Sequence, residues 1–372
     1  MTTTRNRRTV GNVVSRSPQS DSRQSDSRQS GSARTASPQS PMRRRLAAAM
    51  AGAMAGAAWL TSKDARAAVF RYRLGSSQPH DSPNGIRLKE MADRIRADTG
   101  GQLQIEVYPD GKLGSDSAML DMVRRNELEL YIAGNVLGPL VPVTELPGLP
   151  FIFKNTAQVF DALDGDLGDH IRAELRGTGL YAFRYAFDNG FHQFTSSTKP
   201  IRTVDDLAGM KIRTPVQKMT VDFFESLGAK PMTFTLNKLY QVLQDRTVDA
   251  QTDPLGLIVF MKLYEVQTYL SLSHHWWSGF TLLANLQAWH ALPADLQAVV
   301  ERHARAAALA QRQDIAGLDA AAVDLLRGKG MVVNEVDTAG FHKQLGAFYG
   351  RWKAVYGDKA WSLLENRVGR LV

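Results

Sequence analysis

The segment Lys211-Ile212-Arg213-Thr214-Pro215 decides the fold. A short apolar strand ends there in a cation. Thr214 and Pro215 are residue types that begin helices, as N-cap and first helical residue. The same order recurs in Ala250-Gln251-Thr252-Asp253-Pro254, whose Asp-Pro pair has the same predicted roles, and in Lys112-Leu113-Gly114-Ser115-Asp116. Strands that lead directly into helices are typical of α/β proteins with parallel sheets, so the sequence predicts that class.

Outward from these segments, apolar runs of strand length alternate with amphipathic runs of helix length. The predicted strands are 70–74, 103–107, 128–132, 180–186, 210–213 and 247–251. The predicted helices are 86–98, 117–125, 156–164, 216–227 and 236–244. This alternation predicts doubly wound sheets flanked by helices, and about 300 residues are enough for two such domains. An Ala-rich helix over 294–327 is longer than ordinary globular helices, and we interpret it as a brace across two lobes, broken near Gly317.

The charge of the chain is unevenly distributed. The formal net charge is +8, but residues 1–68 hold 12 Lys and Arg against three acidic residues. The remaining 33 basic and 34 acidic residues leave the body of the protein close to neutral. A basic leader on a neutral body argues against nucleic-acid binding.

The leader has two parts. Residues 1–41 are rich in Ser, Arg, Gln and Thr, and we expect them to be disordered or to precede the true start at Met42. Residues 42–67 read as an export signal: MRRR, then a 15-residue apolar run, then Ala65 and Ala67 before a cleavage site at Ala68. An uncleaved anchor is the alternative, and the twin-arginine and general export routes both stay open. The absence of Cys excludes a lipid anchor on Cys, disulfides and thiolate metal sites.

The chemistry of Arg213 favours an anionic ligand. In open α/β sheets, ligands bind beyond the carboxyl ends of the strands, where helix N-termini present free N–H groups. A guanidinium at such a strand end stays charged and matches a carboxylate with two parallel hydrogen bonds. The alternative is a surface arginine paired with a nearby aspartate.

Five stretches in order also carry a family resemblance. They are Val107-Tyr108-Pro109-Asp110-Gly111-Lys112-Leu113-Gly114, Leu146-Pro147-Gly148-Leu149-Pro150-Phe151-Ile152-Phe153, Asp205-Asp206-Leu207-Ala208-Gly209-Met210-Lys211-Ile212-Arg213, Leu227-Gly228-Ala229-Lys230-Pro231 and Thr247-Val248-Asp249-Ala250-Gln251-Thr252-Asp253-Pro254. With them, residues 69–372 resemble the dicarboxylate-binding type of solute-binding protein from tripartite ATP-independent periplasmic (TRAP) transporters.

The resemblance implies a periplasmic binding protein with two α/β lobes, joined by crossing strands and a long helix, that close over a ligand. We expect lobe I over 68–190 and 279–318, and lobe II over 191–278 and 319–372. Arg213 would pair with the carboxylate of a small organic acid. The expected partners are the small and large TRAP membrane subunits, with no nucleic acid, and the protein is expected to be a monomer.

Two departures from the family pattern bear on the ligand. Asp253 stands where relatives often have Asn, so we expect it to accept a hydrogen bond from a ligand hydroxyl or to help hold a cation; a helix N-cap is the alternative. His192 stands where many relatives have Arg, which favours a monocarboxylate over a dicarboxylate. The alternative for His192 is a hydrogen-bonded residue at a domain crossing.

Further candidates are weaker. Trp277 is expected to form an apolar wall suited to an aromatic or branched substrate, with packing at the hinge as the alternative. Other polar residues that could line the crevice are Asn189, Ser77, Gln78 and Asn135. Adjacent His274 and His275 diverge on a strand and do not predict a metal site. No cofactor is expected, although a cation that bridges the ligand stays open.

No enzyme motif is present in the sequence. HExxH, GxSxG, the Walker A pattern and a full GxGxxG are all missing. We therefore expect a binding protein rather than an enzyme. A ligand sensor for a membrane receptor is the first alternative, because the same trap would serve it, and a periplasmic enzyme is the second.

Overall fold

A computed structural model describes residues 69–372; the predicted leader and export signal lie outside the described residues. The strands are β1 Phe70–Gly75, β2 Leu103–Tyr108, β3 Leu130–Ala133, β4 Leu180–Ala182, β5 Phe187–Ser196, β6 Lys211–Thr214, β7 Lys230–Thr233, β8 Ala250–Pro254, β9 Tyr269–Leu272, β10 Trp277–Asn285 and β11 Val332–Glu335. The helices are α1 Pro83–Asp98, α2 Asp116–Arg124, α3 Thr156–Leu163, α4 Asp166–Gly177, α5 Lys218–Ser226, α6 Leu239–Gln244, α7 Leu255–Phe260, α8 Leu286–Ala291, α9 Ala294–Gly328, α10 Ala339–Gln344, α11 Gly346–Tyr356 and α12 Asp358–Val368.

Eight of the strands form one continuous path, β2-β1-β3-β10-β5-β8-β6-β7; off this path, β4 pairs with β10, and β9 pairs with β5 and β11. Strands β1, β2 and β3 are parallel at one end of the path, and β6, β7 and β8 are parallel at the other. The long strands β5 and β10 run antiparallel to each other and join the two parallel groups. This arrangement confirms the predicted α/β class with helices around a central sheet. The lobe boundaries expected from the resemblance stay a prediction.

The predicted brace is helix α9, which has 35 residues. It packs against α1, β5 and α7, and so spans the junction of the two parallel groups. Arg87 of α1 holds Asp314 through two hydrogen bonds of 2.7 and 2.8 Å. The expected break near Gly317 is wrong, because the helix continues to Gly328. A single exposed glycine costs a helix only about 1 kcal/mol, which the neighbouring Ala residues and the packed face offset.

Two predicted helix caps are also wrong. Thr214 ends β6, and α5 begins only at Lys218, with no side-chain cap from its N-cap residue. Asp253 lies within β8, and α7 begins at Leu255. Both residues pair with neighbouring strands instead, Thr214 with Thr233 of β7 and Asp253 with Gln193 of β5. Ser115 does cap α2, accepting a hydrogen bond from the backbone N–H of Ala118.

Candidate functional site

Arg213 lies on β6 as predicted, but its guanidinium is buried. Its Nε donates to the carbonyl of Phe234 at 3.0 Å, and Nη1 lies 3.4 Å from Oδ2 of Asp253. A guanidinium has five N–H groups, so three have no acceptor within residues 69–372. Nη2 makes no hydrogen bond within residues 69–372, but it is not sealed from solvent. The side chain therefore keeps donors for a further acceptor.

Asp253 is the neighbour of that guanidinium and is itself buried. Burial raises the pKa of Asp253 from 3.8 to about 7, although the charge of Arg213 acts to lower it. Burial lowers the pKa of Arg213, but a guanidinium remains charged at neutral pH. The pair thus joins a permanent cation to an acid that titrates near neutrality.

His192 contributes no positive charge to this region. Its Nδ1 lies 3.3 Å from the hydroxyl of Thr252, and its Nε2 lies 2.9 Å from the hydroxyl of Ser278. Burial lowers the pKa of His192 to about 3, and the nearby charge of Arg213 acts in the same direction. The ring is therefore neutral and hydrogen-bonded on both sides. Asn189, on the same strand, also donates to Ser278, at 3.0 Å.

Ser278, the hydrogen-bond partner of His192 and Asn189, lines a cleft of about 860 Å³, a volume that includes open solvent at its mouth. Of the eight site residues expected from the sequence, Asn135 and Trp277 line this cleft. The residues Arg213, Asp253, His192, Asn189, Ser77 and Gln78 do not. Ser278 and Gln217 connect the two regions: both line the cleft, Ser278 contacts His192, and Gln217 follows β6 by three residues.

Trp277 lines the cleft and also packs in the hydrophobic core. Its ring packs edge-on against Phe160 at 5.8 Å between centroids, and its Nε1 donates to Oδ1 of Asp188 at 2.7 Å. Asp188 is buried, and burial raises its pKa. The tryptophan is therefore fixed in the wall by its own hydrogen bond. Trp277 therefore also has a packing role, which is the alternative that the sequence suggests for it.

Glu145 is a cleft residue that the sequence did not single out. Burial raises the pKa of Glu145 to about 7, and a hydrogen bond from Gln217 acts to lower it. Its carboxylate lies against Gly138, where a Cβ atom would come within 1.9 Å of Oε1. Glu145 directly precedes the 146–153 stretch. The residues of that stretch carry the family resemblance but contain no chemical motif that would point to Glu145.

The lining of the cleft is mostly apolar, and the polar residues in it that the sequence did not single out are few. Thr144 and Ser278 supply hydroxyls. Arg172 and Arg184 also line the cleft. Arg172 donates to Asp169 and to the carbonyls of Leu163 and Arg184, and Arg184 donates to the carbonyl of Asp164. A serine or arginine without a motif gives no sequence signal, and only the fold brings these residues together.

Comparisons with known proteins identify the family. The family model described as "bacterial extracellular solute-binding protein, family 7" matches residues 74–354. The chain belongs to this family. It is 32% identical over 295 residues to the 2,3-diketo-L-gulonate-binding periplasmic protein of Escherichia coli K12, which covers 79% of this chain and 89% of that protein. It is 29% identical over 266 residues to the C4-dicarboxylate-binding periplasmic protein of Rhodobacter capsulatus, which covers 70% and 78%.

The fold comparison agrees with the sequence relatives. The sugar acid binding protein of Advenella mimigardefordensis in complex with galactonate superposes with a TM-score of 0.77 at 26% identity, covering 82% of this chain and 99% of that one. The resemblance to TRAP solute-binding proteins is thereby confirmed. Members of this family and its structural neighbours are binding proteins rather than enzymes. Within residues 69–372, no helix is both long and apolar enough to cross a membrane.

Ser77 and Gln78 follow β1 in a turn held by backbone and hydroxyl contacts. The backbone N–H of Gln78 donates to Oγ of Ser76 at 3.0 Å, and the carbonyl of Gln78 accepts from Asp110. In this TRAP solute-binding protein, their contact with ligand stays a prediction. Within the described residues, no group of three or more His, Asp or Glu side chains is arranged to hold a metal, and a ligand-bridging cation also stays a prediction.

Proposed function

We propose that this protein captures a small hydroxy or keto acid with one carboxylate, and that Arg213 binds this carboxylate. The protein then delivers the ligand to the small and large membrane subunits of a TRAP transporter. The observation that carries the proposal is the guanidinium of Arg213, which is buried and leaves three N–H groups without a protein acceptor. Buried donors are normally satisfied, so an incoming carboxylate is the natural partner.

The charge of the site favours one carboxylate rather than two. The relatives include both classes, because one binds 2,3-diketo-L-gulonate and another a C4-dicarboxylate. A second carboxylate needs a second cation, and the neutral ring of His192 does not provide one. Arg172 and Arg184 already donate to oxygens of the protein.

The lining of the cleft favours hydroxyl or keto groups over an aromatic ring. Trp277 is already packed against Phe160 and bonded to Asp188. Among the apolar side chains that make up most of the lining, the polar ones include Asn135, Thr144, Glu145, Gln217 and Ser278. These groups both donate and accept hydrogen bonds, as a polyhydroxylated acid requires.

A binding assay with matched arginine variants tests the proposal. Calorimetry would compare D-galactonate and 2,3-diketo-L-gulonate with succinate and benzoate. We expect the first two to bind the wild type. Arg213→Lys should weaken that binding by on the order of 2–5 kcal/mol, because an ammonium cannot form the two parallel hydrogen bonds. Arg71→Lys is the control, since Arg71 is exposed and its side chain bonds only Gln104 within residues 69–372. Unchanged affinity in Arg213→Lys would overturn the proposal.

Closure and export complete the proposal. Ligand contacts to both lobes, 68–190 with 279–318 and 191–278 with 319–372, would favour a closed form that the membrane subunits recognise. Small-angle scattering should show a smaller radius of gyration with ligand. The protein would act as a free periplasmic monomer, and N-terminal sequencing of the exported protein should begin at Ala68. A sensor role is not favoured, because the structural neighbours include TRAP periplasmic solute binding proteins.

A further inference from the structure

Among the described residues that line the cleft, Glu145 is the one with an acidic side chain. It lies in the short 3₁₀ helix Pro142–Gly148, between β3 and α3. Its carboxylate lies directly over the buried Gly138, where a Cβ atom would come within 1.9 Å of Oε1 and 2.3 Å of Cδ. The absence of a side chain at position 138 therefore makes the space that the carboxylate occupies.

The elements packed around Glu145 do not supply a cation for it. Its side-chain hydrogen bond comes from Gln217, whose amide is neutral. Strand β10 packs against the 3₁₀ helix and has no ionisable side chain. Helix α11 packs there too and places Tyr356 within the influence of Glu145, but burial keeps that hydroxyl neutral. Of the cations of α11, Arg351 pairs with an acid of α5, and Lys353 acts on an acid of α12.

Two arginines line the same cleft, but neither neutralises Glu145. Arg172 is paired with Asp169 at 2.7 Å. Arg184 is exposed, and it donates to the carbonyl of Asp164. Burial raises the pKa of Glu145, and no arginine acts to lower it. The cleft therefore contains an acid that no neighbouring charge compensates.

Gln217 places Glu145 within reach of the expected carboxylate site. It is the fourth residue after Arg213, so the Cα atoms of these two residues are at most about 14 Å apart. Met219 follows in α5, and its Cε lies 3.5 Å from the position of a Cβ atom on Gly148. The start of α5 thus contacts the 3₁₀ helix that carries Glu145. A six-carbon acid bound by Arg213 can extend along this segment toward Glu145.

We infer that Glu145 is a specificity-determining residue, whose carboxylate accepts a hydrogen bond from a hydroxyl at the far end of the ligand and repels a second carboxylate there. An ionised carboxylate accepts hydrogen bonds but has no hydrogen to donate, so a hydroxyl suits it and another carboxylate does not. An uncompensated acid is therefore a repulsive element that discriminates against dicarboxylates. The inference rests on the proposed function, because it concerns the opposite end of the acid that Arg213 binds.

A matched pair of six-carbon acids tests the repulsion. Galactarate differs from D-galactonate only in having a second carboxylate in place of the terminal CH₂OH group. By calorimetry at pH 8, we expect the wild type to bind D-galactonate more tightly than galactarate by about tenfold or more. Glu145→Gln has the same size without the charge. It should bind galactarate about tenfold or more tighter than the wild type does, and should weaken D-galactonate by about fivefold or less.

The pH dependence of this preference separates repulsion from a structural role. Burial raises the pKa of Glu145 to about 7, so the side chain gains its charge as pH rises from 6 to 8. The ratio of the two affinities should rise over this range in the wild type and stay constant in Glu145→Gln. Asp253 acts on both acids through Arg213, so its titration cancels in the ratio. Asp319→Asn is the control and should keep the wild-type ratio, because burial also raises the pKa of Asp319 to about 7 but Asp319 does not line the cleft.

A deoxy analogue tests the hydroxyl contact. D-Fuconate is D-galactonate without the terminal hydroxyl. We expect the wild type to bind it roughly tenfold more weakly than D-galactonate at pH 8, through the loss of one hydrogen bond to a charged group. Glu145→Ala should lose the same factor for D-galactonate and nothing further for D-fuconate. Equal losses for both acids in Glu145→Ala would mean that the carboxylate does not contact this hydroxyl.

The outcomes separate the inference from the proposed function. If D-galactonate binds, Arg213→Lys weakens its binding and Glu145→Gln leaves the preference over galactarate unchanged, the role of Glu145 is wrong and the proposed function stands. A wild type that binds galactarate as tightly as D-galactonate would overturn both the role of Glu145 and the preference for one carboxylate. If no organic acid binds, or Arg213→Lys has no effect, the proposed function fails and the inference fails with it.

Discussion

Nη1 of Arg213 lies 3.4 Å from Oδ2 of Asp253, and both side chains are buried. At this distance the contact is weak as a hydrogen bond but strong as a charge interaction away from water. The ligand carboxylate and an ionised Asp253 would compete for the same guanidinium. Asp253 therefore sets how much of the charge of Arg213 is available to a ligand.

Carboxylate binding should weaken as pH rises through 7. Burial raises the pKa of Asp253 to about 7, so its side chain is neutral below that pH and anionic above it. Binding at pH 8 must then be accompanied by uptake of a proton, and affinity should fall by up to about tenfold per pH unit. Calorimetry in buffers of different ionisation enthalpy measures this uptake. Asp253→Asn should bind with a flat profile between pH 6 and 8.

Two other acids require control variants. The pKa of Glu145 and that of Asp319 are also raised to about 7 by burial. Neither contacts Arg213. Asp319→Asn should therefore keep the pH dependence, whereas Glu145→Gln measures the separate contribution of a carboxylate that lines the cleft. The histidines nearby, His192 and His275, stay neutral across this range. A profile that flattens in Asp319→Asn but not in Asp253→Asn would contradict the assignment.

Gly138→Ala should destabilise the protein through Glu145. A Cβ atom at position 138 would lie 1.9 Å from Oε1 and 2.3 Å from Cδ of Glu145. The carboxylate must move, and the free energy of unfolding should fall by about 1–3 kcal/mol. Denaturant unfolding measures the change. Adding Glu145→Ala removes the clash, so the double variant should lose less than the two single variants together; additive losses would contradict this contact.

The local order of strands and helices was predictable from the sequence. Segment 70–74 became β1 and 103–107 became most of β2, because apolar strand residues and turn residues act over a few positions. The strand expected at 247–251 lies instead at Ala250–Pro254, because pairing with β5 decides its bounds. Strand pairing depends on distant partners that a local pattern does not contain.

The site was only partly predictable for the same reason. Arg213 lies on β6, as the apolar strand pattern before it predicts. The partners of the other candidates are remote in sequence: Ser278 is 86 positions from His192, and Trp277 is 89 positions from Asp188. No spacing rule predicts such contacts, so the neutral state of His192 and the hydrogen bond of Trp277 became visible only in the fold.

Gly317→Ala should stabilise helix α9. Gly317 is exposed, and nothing lies within 4 Å of a Cβ atom built there. Alanine restricts the unfolded chain and suits the helix, so the free energy of unfolding should rise by about 0.5–1 kcal/mol. Thermal unfolding measures the gain. Gly168→Ala in α4 should have the opposite sign, because its Cβ would lie 1.7 Å from the carbonyl oxygen of Leu163.

Trp277→Phe should destabilise the protein in a pH-dependent way. The change removes the 2.7 Å hydrogen bond from Nε1 of Trp277 to Oδ1 of Asp188. Asp188 is only 2% exposed. The buried carboxylate then keeps the backbone N–H of Gly190 as its donor. Leaving a buried acceptor under-satisfied costs about 1–3 kcal/mol. Burial already raises the pKa of Asp188, and loss of the donor should raise it further.

The sign of the pH effect follows from that pKa. At low pH Asp188 is protonated in both proteins and the lost donor matters least, whereas at high pH the variant must hold a less stabilised charge. The stability difference between wild type and Trp277→Phe should therefore widen as pH rises through the raised pKa of Asp188, as measured by denaturant unfolding. Trp289→Phe provides the comparison, because its Nε1 donates no hydrogen bond within residues 69–372 and its ring stacks on Tyr181. Its cost should reflect lost packing and stay constant with pH; a parallel pH trend in both variants would mean that Asp188 does not depend on the indole.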